Sequence, residues 1–181
     1  AYVLLSPTFG MHQYTADLAQ GAVQGGHEVH VVTTAAAPRG RYTSAVTLHT
    51  PVAARSTGLA PRPLAAAAGF ALQTRLGIAP SALPTPIAAV HATLRALQPD
   101  LVHFTGPHLW NAPLLGALAR DGIPTLHTLH DAQPHSGAGY GRLLEIWNRQ
   151  VVRGADALLV HSAQARTTVL GWGAAPERVV C

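Results

Sequence analysis

Short apolar runs alternate along this chain with segments in which apolar residues recur at helical spacing. The runs predict strands, and the segments between them predict helices. The predicted strands cover residues 2–6, 28–33, 46–49, 101–105, 125–130, 157–161 and 179–181. The predicted helices cover residues 11–24, 64–75, 86–97, 109–120, 141–152 and 163–170. The pattern is typical of βαβ units. It therefore predicts a doubly wound α/β domain with a mostly parallel sheet and helices on both faces.

Turn residues mark several of the predicted boundaries. Gly25 and Gly26 close the first helix, and Ser162 stands where the N-cap of the last helix is expected. Residues 51–63 are rich in proline, arginine, alanine and glycine, and they interrupt the alternation. Together with the helix that follows, they are interpreted as an excursion from the sheet within a single domain.

Composition narrows the class of protein. At 181 residues, 48% of them apolar and 11% charged, the chain suits one compact globular domain. Twelve arginines and no lysine oppose eight acids, but no arginine cluster is interleaved with aromatic residues, so we expect no nucleic-acid partner. The single cysteine, Cys181, excludes an internal disulfide framework and fits a reducing, cytoplasmic compartment. The longest alanine-leucine run has nine residues, whereas a membrane span needs about 20.

Histidines stand at the carboxyl ends of two predicted strands. His103 and Thr105 close the strand 101–105, and His130 and Asp131 close the strand 125–130. In an open parallel sheet, ligands bind outside these strand ends, so His130 is interpreted as a cleft residue more readily than as a structural one. Other histidines are interpreted as structural or surface residues: His27, His30, His49, His91 and His161.

Several kinds of chemistry are disfavoured by spacing. His127 and His130 are three apart on a strand, so they point to opposite faces and cannot chelate one metal ion together, and we expect no metal site. Neither a dinucleotide fingerprint nor a lysine-containing phosphate loop is present. The sequence also lacks a G-x-S-x-G elbow, which disfavours a nucleophilic hydrolase.

The first strand–helix junction contains Gly10. A glycine at a helix start lets a phosphate approach the backbone N–H groups, and the helix dipole favours the negative charge. The same glycine is equally explained by close packing of the helix on the strand. From this residue alone, both interpretations stay open.

Six segments, in this order, resemble the family-4 retaining glycosyltransferases of the GT-B fold. Residues 10–14 and 26–33 resemble the family's Gly-Gly loop and its "rGHeVhvvt" strand. Residues 99–103 resemble "PDvvH", and residues 122–131 resemble "giPvv.tvHD". Residues 155–162 resemble "aDaviavS", and residues 176–180 resemble "pperivv". Phe9 replaces the first loop glycine, and Thr105 stands where many members have a second histidine.

The resemblance implies a Rossmann-like, acceptor-side half of a two-domain enzyme that transfers a hexosyl or related group from a nucleotide sugar. Gly10 matches the glycine that lies against the donor diphosphate, and His130 with Asp131 matches the catalytic "HD" pair. The acceptor cleft is expected to include Phe9, Met11, His12, Tyr14, His103 and Thr105.

The same resemblance sets expectations for the whole protein. The chain starts and stops within strand patterns and lacks the family's acidic E-x7-E motif. We therefore expect residues 1–181 to be one domain, cut at both ends, whose partner is its own C-terminal donor-binding domain, and to be inactive alone. The expected substrates are a nucleotide sugar and a sugar, lipid or small-molecule acceptor, with no metal or other cofactor. The expected location is the cytoplasm, compatible with peripheral contact at the inner face of a membrane.

Two other functions remain open from the sequence. One is a complete, non-catalytic α/β module that binds a small ligand. The other is a different GT-B enzyme, such as a sugar-nucleotide epimerase.

Overall fold

A computed structural model describes residues 1–6, 9–34, 37–52, 85–132 and 141–181. Within them, seven strands form one sheet: β1 (Tyr2–Leu4), β2 (Val29–Thr34), β3 (Val46–Val52), β4 (Val102–Phe104), β5 (Thr125–Leu129), β6 (Ala157–Val160) and β7 (Val179–Val180). Five α-helices accompany them: α1 (Phe9–Gln24), α2 (Thr85–Leu97), α3 (Asn111–Arg120), α4 (Gly141–Gly154) and α5 (Ala163–Gly171). Short 3₁₀ turns lie at Arg39–Arg41 and Pro176–Arg178.

The direction in which the chain adds strands reverses near the middle of the sheet. The order is β3-β2-β1-β4-β5-β6-β7, and every neighbouring pair is parallel. The chain moves outward from β1 to β3, returns to β4, and then moves outward in the other direction. In such a sheet, the crevice at the carboxyl ends of the two strands where the direction reverses is the usual ligand site. Here those strands are β1 and β4.

Two hydrophobic clusters hold the helices against the sheet. On one face, α1 packs through Ala19 against Val29 and Val31 of β2. On the other face, α2, α3, α4 and α5 contribute to a larger core that includes Phe104 of β4 and Trp110. When helices cover a parallel sheet on both faces, its strands are short apolar runs of sequence. Such runs therefore predict the strands of this sheet.

Glycine is needed where the chain leaves β4. A Cβ added at Gly106 would lie 2.7 Å from Cδ1 of Leu4 and 3.4 Å from Cγ of Met11. Leu4 is completely buried. Gly106 therefore lets the end of β4 lie close to β1 and to the start of α1.

The predicted fold class is confirmed, with a sheet that is wholly parallel within the described residues. Ser162 caps α5 as expected, because its side chain accepts a hydrogen bond from the backbone N–H of Ala165 at 3.1 Å. The first helix begins at Phe9, two residues before the predicted start. The predicted helix over 64–75 lies outside the described residues. In the part of the chain that the structure describes, no helix is long and apolar enough to cross a bilayer.

Candidate active site

Three aromatic rings meet at the carboxyl edge of the sheet, and we call them the three-ring cluster: Tyr14, His130 and His161. The ring centroids of Tyr14 and His130 are 4.9 Å apart, and those of Tyr14 and His161 are 5.6 Å apart, both edge to face. The two imidazole centroids are 5.0 Å apart. The first turns of α1 and the ends of β5 and β6 thus converge on one small area.

The ring of His130 is fixed by the backbone of the neighbouring strand. Its Nε2 lies 2.8 Å from the carbonyl oxygen of Thr105. A carbonyl oxygen only accepts, so Nε2 carries the proton, and in the neutral ring Nδ1 is the acceptor atom. His130 is half-buried, and Asp131, the next residue, is exposed. The side-chain amide of Asn148 donates to the backbone oxygen of Asp131 at 3.1 Å, which holds the chain as it leaves β5.

A chain of hydrogen bonds connects Tyr14 to β5 and β4. The Tyr14 hydroxyl lies 3.3 Å from Oγ1 of Thr128, which in turn lies 2.8 Å from Nε2 of His103. Beside it, Oγ1 of Thr15 lies 2.7 Å from Oγ1 of Thr105 and donates to the backbone oxygen of Met11 at 2.8 Å. These bonds tie α1 to β4 and β5 directly beneath the three-ring cluster.

His103 is part of this support and is itself buried. Burial, with a smaller contribution from neighbouring positive charges, lowers the pKa of His103 to about 4. The imidazole is therefore neutral near neutral pH and acts there as a hydrogen-bonding group. The predicted cleft residue Thr105 is also fully buried and presents its carbonyl oxygen to His130.

His12 and Met11 take different positions from Tyr14. His12 is only 2% exposed, and its Nδ1 lies 3.2 Å from the hydroxyl of Tyr42. Burial, helped by the charge of Arg41, lowers the pKa of His12, and burial raises the pKa of Tyr42 to about 12. Met11 is half-buried. His12 thus bonds toward the segment after β2, while Tyr14 joins the three-ring cluster.

Gly10 lies in the first turn of α1 and is exposed. A Cβ added at Gly10 would meet no atom within 4 Å, so packing in the described residues does not require glycine here. The first turn of α1, which begins at Phe9, contains no acidic residue. The dipole at this helix start and the N–H groups of its first turn therefore suit an anion.

A separate cavity lies at the opposite edge, where the strands begin. Its volume is about 640 Å³, and its lining includes Tyr2, Asp17, Leu101 and His103. His103 thus stands between this cavity and the three-ring cluster. The cavity adjoins neither Gly10 nor His130 among its lining residues, so it is a different place from the candidate site.

The described residues contain no group of three or more histidine, cysteine or carboxylate side chains placed to hold a metal ion. Asp131, which directly follows His130, is exposed. Within the cluster, the imidazole rings of His130 and His161 contact each other, with their centroids 5.0 Å apart.

Two residues of this site were missed in the sequence: Thr128 and His161. His161 directly follows β6, and the pairing of Leu129 with Val160 puts it beside His130. Both strand-like runs end in histidine, and that shared ending is the signal that could have pointed to the contact. Thr128 gave no signal, since its role depends on the approach of Tyr14.

The chain is similar to known proteins in sequence and in fold. The family described as "Glycosyl transferase 4-like domain" matches residues 9–181. No curated protein is similar enough in sequence to count as a relative. Among solved structures, HepE from Anabaena in complex with UDP has a TM-score of 0.63 at 13% identity and aligns with 99% of this chain and 42% of its own.

Two further structures share the fold. S. aureus MnaA with UDP has a TM-score of 0.57 at 16% identity, over 99% of this chain and 42% of its own. The UDP-N-acetylglucosamine 2-epimerase from Rickettsia bellii has a TM-score of 0.57 at 15% identity, over 98% of this chain and 43% of its own. The chain thus spans less than half the length of these proteins, and it corresponds to one Rossmann-like half of a GT-B structure. Because the family match covers nearly all its residues, the chain belongs to the glycosyl transferase 4-like domain family.

Proposed function

We propose that this chain is the acceptor-side domain of a retaining glycosyltransferase that moves a sugar from a nucleotide-sugar donor to an acceptor. The observation that carries the proposal is the convergence of His130, fixed by Thr105, with Tyr14 at the carboxyl edge beside the β1–β4 crevice. A ligand in that crevice would meet the three-ring cluster on one side and the start of α1 on the other.

The donor is proposed from the anion-suited helix start and from the structural neighbours. HepE has been crystallised with UDP, with UDP-glucose, and with UDP and glucose. In this chain, the first turn of α1 at Gly10 is exposed, and a Cβ there would meet no atom within 4 Å among the described residues. We assign to Gly10 the contact with the donor diphosphate, since its N–H groups and dipole would stabilise the negative charge of the leaving group.

His130 is assigned to the reaction centre. With Nε2–H held by Thr105, the uncharged form of the imidazole would present Nδ1 as an acceptor for a hydroxyl group of the transferred sugar. Such a bond orients the sugar before the bond to the diphosphate breaks, and a fixed partner costs no reorganisation at that moment. Asp131 directly follows His130 and is exposed, and we assign to its carboxylate the stabilisation of positive charge that develops on the sugar.

The acceptor would approach along α1 and the ends of β4 and β5. The proposed acceptor-side residues are Phe9, Met11, His12, Tyr14, His103 and Thr105. Of these, Tyr14 is the one that reaches His130. His12, His103 and Thr105 are buried and would act by holding the cleft in shape.

The rest of the enzyme belongs to the same proposal. A C-terminal domain would grip the nucleotide, so residues 1–181 alone would not turn over. The reaction is proposed to need no metal, and the proposed setting is the cytoplasm, including the inner surface of a membrane for a lipid acceptor.

The full natural protein tests this proposal. It should release UDP from a panel of UDP-sugars faster in the presence of an acceptor library, and NMR of the product should show the donor's anomeric configuration. Inversion of that configuration would contradict the retaining mechanism. The absence of any transfer would contradict the enzyme class.

A second candidate is an epimerase, because one structural neighbour is a UDP-N-acetylglucosamine 2-epimerase. The discriminating measurement is incubation with UDP-N-acetylglucosamine and no acceptor. An epimerase converts the sugar nucleotide into its 2-epimer, whereas a transferase leaves it intact. A non-catalytic module would bind the nucleotide in calorimetry and do neither.

A further inference from the structure

His161 occupies a position that its strand does not require to be histidine. It directly follows β6, it is exposed, and its side chain makes no hydrogen bond to the side chains or backbone that the structure describes. Its contacts are with two rings, those of Tyr14 and His130. A surface histidine without hydrogen bonds contributes little to folding, so the fold does not explain its placement against the site.

The position of His161 follows from strand register. Leu126, His127, Thr128 and Leu129 of β5 pair with Ala157 to Val160 of β6 in sequence order. The next residues on the two strands are His130 and His161, and they leave the sheet on the same face. Because adjacent parallel strands lie about 5 Å apart, the two rings stand side by side. Their observed separation of 5.0 Å agrees with this spacing.

We propose that His161 is a further substrate-contacting residue, which with Tyr14 and His130 forms a wall that binds a hydroxyl-rich sugar ring. This inference rests on the proposed function and goes beyond the residues that the sequence indicated. His161 brings two ring nitrogens to an exposed place beside the crevice. A neutral imidazole has one donor and one acceptor, which matches two neighbouring hydroxyl groups of a sugar.

Partial burial and the charges around the cluster favour the neutral form of His161. Partial burial, and then the neighbouring charge of His130, lower the pKa of His161. The other titratable groups near it are Tyr14 on α1, Asp131 after β5, and the buried His103 and His127, whose own pKa values are held well down. At neutral pH the ring therefore keeps both a donor and an acceptor.

The test uses three variants of the full natural protein. His161→Phe keeps a flat ring and removes both nitrogens, and His161→Asn keeps a donor and an acceptor on a shorter side chain. The control is His27→Phe, which changes an exposed histidine on the loop before β2, at the opposite edge of the sheet. Steady-state rates are measured with the donor and the acceptor varied in turn, together with melting temperatures.

We expect His161→Phe to raise the KM for one of the two substrates by about fivefold, the effect of one lost neutral hydrogen bond, with a smaller change in kcat. His161→Asn should recover part of this loss. The substrate whose KM changes shows whether the wall holds the donor sugar or the acceptor. Melting temperatures of all three variants should match the parent.

A binding readout separates this inference from the proposed function. Glucose and UDP-glucose are added to the ¹⁵N-histidine-labelled parent, and the imidazole signals of His161 are followed by NMR. If these signals move but no sugar is transferred, then His161 binds the sugar as proposed, and the proposed transferase activity is wrong. Unchanged signals, with His161→Phe as active as the parent, would overturn the wall and leave the transferase standing. A lowered melting temperature without a KM change would make His161 a structural residue and would also overturn it.

Discussion

Nε2 of His130 lies 2.8 Å from the carbonyl oxygen of Thr105. Thr105 directly follows β4 and His130 directly follows β5, so the backbone at the end of one strand holds the side chain at the end of the neighbouring strand. Both residues sit just beyond paired strands, β4 and β5, whose register places Phe104 opposite His127. The backbone of the sheet thereby sets the tautomer of the imidazole. A fixed tautomer matters because it decides which nitrogen faces a ligand.

His130→Ala should lower kcat/KM by at least about tenfold, equivalent to about 1.4 kcal/mol, in the full natural protein. The reason is the loss of an oriented acceptor at the reaction centre. Because the side chain is half-buried and Thr105 keeps its other contacts, the melting temperature should change little. The measurements are initial rates and a thermal melt.

A matched control is His27→Ala, which removes an exposed imidazole at the other edge. It should leave both rate and melting temperature unchanged. If His130→Ala instead unfolds the protein and the folded fraction keeps full activity, then His130 is a structural histidine and its proposed catalytic role is wrong.

Gly10→Ala should reduce activity without harming the fold. The added Cβ meets nothing within 4 Å in the described residues, and alanine stabilises a helix over glycine by about 0.5–1 kcal/mol. A diphosphate close to this backbone would, however, meet the new methyl group, so KM for the donor should rise. Donor titrations with the purified variant measure this effect.

Gly21→Ala is the control for this change, since it lies on the same helix and its Cβ also meets nothing within 4 Å. It is 11 residues along α1, which is roughly 16 Å at 1.5 Å per residue. Equal donor KM values for the two variants would show that Gly10 has no special contact with the donor.

Much of the fold could be predicted from the sequence because its strands are buried on both faces. All seven strands were recognised to within about three residues at each end, since apolar runs bounded by glycine, proline and polar residues leave few alternatives. The start of α1 at Phe9 was placed two residues late, because Gly10 was interpreted as part of the junction between the first strand and the helix.

The site was only partly predictable, for a different reason. Strand-end position led to the prediction that His130 lies in the cleft. The approach of His161 depends on the register of β5 and β6, whose paired residues are 31 apart in sequence, and the approach of Tyr14 depends on how α1 packs against the sheet. Register follows from packing, and a single sequence does not display it. Likewise, burial of His12 against Tyr42 could not be read from a helix pattern, because its partner lies in an irregular segment.

Gly106→Ala should destabilise the domain by about 1–3 kcal/mol, the usual cost of an overpacked core. The new methyl would lie 2.7 Å from Cδ1 of Leu4, a side chain that is completely buried. Urea unfolding measures the effect. Gly116→Ala on α3 serves as the control, since its Cβ meets only the Arg120 guanidinium at 3.9 Å. If Gly106→Ala is as stable as Gly116→Ala, then the end of β4 has room for a methyl group beside Leu4, and the prediction is wrong.

The stability of the domain should fall as the pH is lowered from about 6.5 toward about 3–4, because of His127 and His103. Burial lowers the pKa of His127 to about 3 and that of His103 to about 4, from an ordinary value of 6.5. In this pH window the two histidines bind protons in the unfolded chain but stay neutral in the folded chain, so lowering the pH favours unfolding. Above about pH 6.5 both states are neutral at these positions, and this contribution to stability is fully present.

His127→Gln isolates the larger of the two contributions. Nε2 of His127 accepts from the Asn111 side chain at 2.9 Å, and a glutamine oxygen keeps an acceptor while removing the titration. The variant should be less stable than the parent at about pH 7.5, because it loses the stacking of the imidazole on Phe104. Its stability should nevertheless fall less steeply toward about pH 5, by about 1 kcal/mol per pH unit at most. Urea unfolding at the two pH values measures the slopes, and equal slopes for parent and variant would show that His127 takes up its proton in the folded state as easily as in the unfolded chain.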